Sequence, residues 1–369
     1  MGEQIMSNRF SRAANRAFIS TTSSIALVVA MAGASSSSAF AQEELNALVW
    51  CDHTDATLIE PFEKANNVKV NLKEYEGTGT ALSIISQSQP GDWDVFVIDG
   101  VDVPRAVEAG ILAEMPANAL PTADFFPAVV MKENNTSNGK TYAVTEKYGY
   151  NTISFDKTKV DPEDMMDMTM IWSDKYAGRI AIYDYYLPVI GLTGLGVGID
   201  TADISAANMP AIKEKLLAMK AASKLVGDVV SSQTALATGE VDILVGGGEW
   251  VTAVLSADKP NLDWVIPAQG GLRWSQSIGV MADSGKKDLA LKFVQYITSP
   301  EGQARLATSA CFWGMPANEK AGAHLSAAQK AALRWDDQPG YLANSQLYPV
   351  PSAELDDLMQ DVWTEMLQH

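Results

Sequence analysis

The sequence is poor in the residues from which most catalytic centres are built. Its 369 residues include three histidines, His53, His324 and His369, and two cysteines, Cys51 and Cys311. It has no GxSxG elbow, no Walker loop and no HExxH pair, which removes the common frames for serine hydrolysis, nucleotide triphosphate chemistry and zinc proteolysis. His369 is terminal and His324 lies in a loop-like stretch, so both read as surface residues. No nucleophile, base and orienting group come together in a recognisable pattern, so no enzyme activity is expected. Two stretches, "GLTGLGVGID" and "VGGGEW", are glycine-rich, yet neither matches a nucleotide fingerprint. Packing or close backbone approach explains them better, and no cofactor is expected.

Positive charge is also scarce. With 27 basic and 45 acidic side chains the chain carries a formal charge of −18, a surface on which nucleic acid is a poor partner. Such charge serves solubility, or it sets up a field that attracts cations. The one apolar run, "SIALVVAMAGA", follows Arg9, Arg12 and Arg16 and leads to Ala39-Phe40-Ala41. It is shorter than the roughly 20 residues that span a bilayer, and its flanks have the form of a secretory signal cut after Ala41. No cysteine follows the run directly, so lipid attachment is not expected. The mature chain is then an exported protein of 328 residues with 24 basic and 44 acidic side chains, long enough for two lobes. In an oxidising compartment two cysteines suffice for one bridge. The sequence leaves open whether their Cα atoms come within the roughly 7 Å that a bridge requires.

Strand and helix signals alternate through the first hundred mature residues: "LNALVW" then "TDATLIEPFEKA", "VKVNLKEYE" then "GTALSIISQ", "WDVFVID" then "DVPRAVEAG". That order predicts a parallel, doubly wound sheet, with ligands beyond the carboxyl ends of its strands. Pro61 predicts a bend in the first helix, and Asn66-Asn67 its left-handed end. A second unit starts near "YGYNTISFDKTKV" and carries "GRIAIYDYYLP", "NMPAIKEKLLAMKAA" and "GEVDILVGGGEW". The segment "KKDLALKFVQYITSPEGQARLATSA" is strongly helical, and the last fifty residues read as irregular up to an amphipathic end.

Trp50, Tyr148, Trp250, Trp274 and Trp313 follow strand-like runs or sit at segment junctions, interleaved with Asp52, Asp99, Glu146, Glu249 and Gln276. The pattern suggests an aromatic box with acidic anchors for a cation, each ring contributing roughly 0.5–2 kcal/mol and each charged hydrogen bond about 1.5–3 kcal/mol. Lys147 and Arg273 are candidates to hold a carboxylate if the ligand carries one.

The stretches "VWCDHTDATLIEPFEKANNVKV", "GDWDVFVIDGVDVPRAVEAGIL", "MTMIWSDKYAGRIAIYD", "GEVDILVGGG", "GGLRWSQSIGVMADSGKKDLALKFVQYITSPEG" and "FWGMPAN" follow one another as they do in the spermidine/putrescine-binding proteins of ABC importers, and the chain resembles that group of extracellular solute-binding proteins. The resemblance implies an α/β type II periplasmic-binding fold, two doubly wound lobes joined by a hinge with the ligand in the cleft. It implies an N-terminal lobe of residues 42–147 plus 277–317 and a C-terminal lobe of 148–276 plus 318–369. It further implies a periplasmic monomer that binds a small-molecule ligand, without metal, and delivers it to an inner-membrane ABC permease.

By position, Trp50 and His53 fall where the polyamine binders place a tryptophan and a tyrosine. Asp99 replaces a serine, Trp274 matches the tryptophan after "GG", and Trp313 lies near the tyrosine of the late turn. The full ligand-binding set is Trp50, Asp52, His53, Asp99, Tyr148, Tyr185, Glu249, Trp250, Trp274, Gln276 and Trp313. The departures concern charge. The second-lobe carboxylate pair of that group falls at Tyr185 and Pro188, and a later aspartate at Gln276. The loss widens the ligand class from polyamines to other small organic cations and zwitterions, with Asp99 and Glu249 as replacement acids. The alternative is a ferric-iron protein of the same family, using His53, Asp52 and Tyr185-Tyr186 as hard ligands.

Overall fold

The computed structural model describes residues 42–369; the signal segment expected over residues 1–41 lies outside them. Three strand–helix steps open the described chain, as the alternation predicts. Strand β1 (Glu43–Val49) places Leu45, Ala47, Leu48 and Val49 fully inside. The helix Ala56–Asn66 starts where the Asp55 side chain accepts from the Thr57 N–H, and it buries Leu58, Ile59 and Phe62. It runs through Pro61 and ends at Asn67, which takes the left-handed conformation at φ 50°. Strand β2 (Val68–Glu74) then pairs in parallel with β1 along its whole length. After the helix Thr78–Gln87, strand β3 (Val95–Asp99) is buried at every residue. It pairs with the other side of β1, and the helix Val103–Glu108 follows.

A small hairpin, β4 (Thr136–Ser137) with β5 (Lys140–Thr141), precedes the longest strand, β6 (Val144–Asp156), all of it buried. The second half repeats the parallel pattern with β7 (Ile180–Tyr183), β8 (Ser223–Gly227) and β9 (Ile243–Gly247). Strands β10 (Leu262–Val265) and β11 (Gly271–Val280) follow, then the short β12 (Met315–Pro316) and β13 (Ser345–Leu347). The strand order is β2-β1-β3-β11-β6-β9-β7-β8, with β10 and β12 added to β6 and β13 to β11. Both halves therefore share β6 and β11. The two strands pair from Asn151 with Leu272 to Val144 with Ile278, and the register shifts between Gln276 and Ser277.

Three local features differ from the sequence expectation. "YLPVIGLTGLG" is a helix, Tyr186–Gly196, buried from Leu187 to Leu195. Its glycines serve packing: a Cβ on Gly196 would lie 2.5 Å from the Trp172 ring. The long helical signal near the end breaks into Lys287–Thr298 and Pro300–Ala307, because Ser299 caps the second helix by accepting from Gly302 N. Tyr148 is an interior residue of β6, with strand on either side of it. The amphipathic end forms the helix Ala353–Gln368, which buries Met359, Val362, Trp363 and Met366.

Candidate ligand-binding cleft

In a doubly wound sheet the strand ends gather backbone groups and loops around one crevice. Here β1 leads to Trp50, β3 ends at Asp99, β7 leads through Tyr183 to Tyr185, and β9 leads to Trp250. These residues, with Asn151 of β6, Trp274 and Gln276 of β11, Val229, Phe312 and Tyr348, enclose a cavity of about 40 Å³. That is the space of roughly three waters, at about 10–15 Å³ each.

The walls are mostly rings. Trp50 and Tyr185 approach from opposite halves with centroids 6.4 Å apart, Tyr183 and Trp250 are 5.1 Å apart, and Trp274 meets Phe312 edge-on at 5.9 Å. Asp99 is the single carboxylate on the lining. Its Oδ2 accepts from the Tyr185 hydroxyl at 2.5 Å and more distantly from Thr78 at 3.4 Å. Burial, and then the charge of Asp102, push the Asp99 carboxyl up to about 7, against the hydrogen bonds from Tyr185 and Thr78. Tyr185 is itself raised well above the usual phenol range by burial and by Asp99, so its proton stays on and donates. Asn151 is spent on protein partners: its Nδ2 donates to Gly246 O at 2.6 Å and its Oδ1 accepts from Tyr348. Gln276 keeps a free acceptor, since Oε1 is buried with no partner while Nε2 lies 3.5 Å from Asp52 Oδ1.

Six expected residues line the cavity: Trp50, Asp99, Tyr185, Trp250, Trp274 and Gln276. Asp52, His53, Tyr148, Glu249 and Trp313 do not. Asp52 and His53 are fully buried in a network behind the wall. His53 Nδ1 is 2.9 Å from Asp52 Oδ1, and its Nε2 is 3.0 Å from Glu146 Oε1, an ion-pair distance without hydrogen-bond alignment. Lys147 Nζ donates to Asp52 Oδ2 and to the Phe312 carbonyl, both at 2.9 Å, and sits 4.0 Å from the centre of the Phe312 ring.

Burial opposes every charge here, yet the partners win at two of them. Lys147 and His53 hold Asp52 down at about 2, and Glu146 with Asp52 pushes His53 up to about 10. Both carboxylates thus favour the imidazolium form of His53, which has no lone pair to offer a metal. Among the described residues no group of three or more His, Cys, Asp or Glu side chains gathers as a metal site.

Glu249, expected as a cleft acid, turns away from the cavity, and both of its oxygens face Tyr150 N at 3.0 and 3.1 Å. Gly149 makes room for it, because a Cβ there would fall on the Glu249 carboxylate and the Trp274 ring. Burial pushes Glu249 up to about 8 despite those N–H groups. The Tyr148 hydroxyl faces Gln338 on the other side of the sheet, 3.3 Å from Oε1. Lys147 and Arg273 are absent from the lining as well.

Cys51 and Cys311 are joined in a disulfide with Cα atoms 5.9 Å apart. The bridge ties the loop of Trp50 to the loop of Phe312, and the Lys147 contacts tie the same two loops a second time. Five lining residues were not anticipated: Phe312, Tyr183, Asn151, Val229 and Tyr348. Phe312 follows Cys311 directly, so a disulfide assignment would have located it.

The comparisons with known proteins agree with this architecture. The chain is 24% identical over 262 residues to the spermidine/putrescine-binding periplasmic protein of Escherichia coli, covering 68% of this chain and 72% of the relative. It is 22% identical over 270 residues to iron uptake protein A1 of Synechocystis, covering 69% and 71%. A solved structure described as a putative spermidine/putrescine ABC transporter from Listeria monocytogenes superposes with a TM-score of 0.77 at 20% identity, over 88% of this chain and 99% of that one. That likeness establishes the fold: two α/β lobes, with the crevice between them. The model of the bacterial extracellular solute-binding protein family matches residues 57–334, and the chain belongs to that family.

Proposed function

We propose that the protein is the substrate-binding component of an ABC importer that captures a small organic cation, of the kind that includes polyamines, and delivers it to a membrane permease. The observation that carries this reading is Asp99, a lone carboxylate on a lining otherwise made of rings, two amides and one valine. Rings present their negative faces to a cation, and an uncompensated buried carboxylate favours a positive ligand.

The E. coli relative is named for spermidine and putrescine, which supports an amine. Iron fits less well, because the imidazolium of His53 is held between two carboxylates and Tyr186 is hydrogen-bonded to Asp356 at 2.6 Å. In this reading one lobe comprises 42–147 with 277–317 and the other 148–276 with 318–369, and the register shift at Gln276/Ser277 supports a hinge there. Export through residues 1–41, a periplasmic monomer and the absence of turnover complete the reading. No helix among the described residues is long and apolar enough to cross a membrane.

The test is mass spectrometry of whatever is released when protein purified from its native host is denatured. A small amine at one equivalent is the expected result. Stoichiometric iron, or an anion, would overturn the reading.

A further inference from the structure

Asp99 and Gln276 are register partners on the adjacent antiparallel strands β3 and β11. Their side chains therefore leave the same face of the sheet, with Cβ atoms about 5 Å apart, and both line the cavity. Asp99 has one carboxylate oxygen in use and one free, and the single acceptor of Gln276 is free. Asp99 Oδ2 is occupied by Tyr185 and Thr78, whereas among the described residues no donor reaches Oδ1. Gln276 is 2% exposed, with Oε1 unpartnered. The orientation of its amide follows from Asp52: turning it over would set two oxygens against each other where Nε2 now faces Oδ1.

On this pair, and resting on the proposed function above, we propose that the ligand is a compact primary ammonium ion bearing a single positive charge, and that Gln276 is the residue that selects it. One N–H of such an ion meets Asp99 Oδ1 and another meets Gln276 Oε1, with the carbon body against the rings. A quaternary ammonium has no N–H and leaves both acceptors empty, and a buried acceptor without a donor weakens binding. A diamine brings a second charge for which the lining holds no acid: Asp52 is taken by His53 and Lys147, and Glu249 by Tyr150 N. An amino acid brings a carboxylate, and none of the lining residues is Lys, Arg or His. The cavity, about 40 Å³, also favours a short body.

Four probes of matched length separate these cases: n-butylamine, butyltrimethylammonium, putrescine and 4-aminobutyrate, titrated calorimetrically at pH 8 into the full mature protein freed of ligand. Butylamine should bind at least tenfold more tightly than each of the others. The Gln276→Met variant, of similar length and without the acceptor, should lose about tenfold for butylamine and nothing for butyltrimethylammonium. Tighter binding of putrescine or of the trimethyl compound overturns the single primary ammonium while leaving a cation receptor in place. An unchanged butylamine affinity in Gln276→Met, with the thermal midpoint retained, overturns the role of Gln276. If only 4-aminobutyrate binds, or none of the four, the cation reading falls and this inference falls with it.

Discussion

Two regions of this molecule, both in contact with Gln276, bury carboxylates and treat them in opposite ways. Behind the cleft wall, Asp52 and Glu146 face His53 and Lys147 in a fully buried cluster, where Asp52 is bonded to both and Glu146 lies at ion-pair distance from His53. On the lining itself, Asp99 is given only a phenol and a hydroxyl. The consequence shows in the acidities: Asp52 is held at about 2 by its cationic partners, whereas Asp99 is pushed up to about 7 by burial and by Asp102. A matched cluster fixes loops in place. An unmatched acid waits for a positive partner from outside.

The comparison can be broken most forcefully at Lys147. Replacing it by Met takes the charged donor away from buried Asp52 Oδ2 and from the Phe312 carbonyl, and removing one member of a buried pair costs about 3–5 kcal/mol. Urea denaturation should show that loss, and a Lys147→Met protein as stable as the parent would reduce the network to passive filling.

Next in size is the bridge that ties the same loops. Joint replacement of Cys51 and Cys311 by Ser should cost about 2–5 kcal/mol, the usual range for a native disulfide. Circular dichroism melts under oxidising and reducing conditions would measure it, and coincident midpoints would count against it.

On the cleft side, Trp50→Ala or Trp274→Ala should weaken amine binding by about 1–3 kcal/mol through lost ring contact and cation–π attraction. Stability should fall less than in Lys147→Met. Equal affinities in parent and both variants would send these rings back to a packing role.

A subtler effect concerns pH. The groups facing Asp99 are Asp102, with Arg105 beyond it, and the phenols of Tyr75, Tyr183, Tyr185 and Tyr348. A cationic ligand favours ionised Asp99, and below about 7 the carboxyl must first give up its proton. Affinity should therefore level off above that pH and fall by about tenfold per unit below it, and this slope should vanish in Asp99→Asn.

The smallest expected change is the stability of Asp99→Asn itself, equal to or slightly above the parent at pH 8, because the variant removes an uncompensated buried charge. A loss as large as that of Lys147→Met would erase the distinction between the two regions.

Much of the architecture was legible because buried parallel strands leave plain apolar runs. "LNALVW" and "WDVFVID" became β1 and β3, and the helix between them ends at Asn67 as its sequence suggests. Half of the cleft was legible for a related reason, since Trp50, Asp99 and Tyr185 lie at or just beyond strand ends. What the sequence withheld is which way a polar side chain turns there. His53 stands three residues from Trp50, yet besides the adjacent Asp52 it faces Glu146, 93 residues away, and nothing local announces that second contact. Glu249 precedes Trp250 but is drawn aside by Tyr150 N, into space that exists because residue 149 has no side chain. Tyr348 was hidden in a tail that reads as irregular, and only the pairing of β13 with β11 brings that tail to the cleft.

The position of β11 also sets an order of events during synthesis. Strand β3 ends at Asp99, and its neighbour on the open side is β11, which starts at Gly271. A chain emerging from its N-terminus completes β1, β2 and β3 early, yet β3 must keep one bare edge until nearly three quarters of the polypeptide has appeared. Bare strand edges invite pairing with other chains. The part of the sheet built on β1, β2 and β3 therefore cannot mature on its own schedule. It is completed by a strand made after β7, β8 and β9, so the two halves of the cleft become functional together.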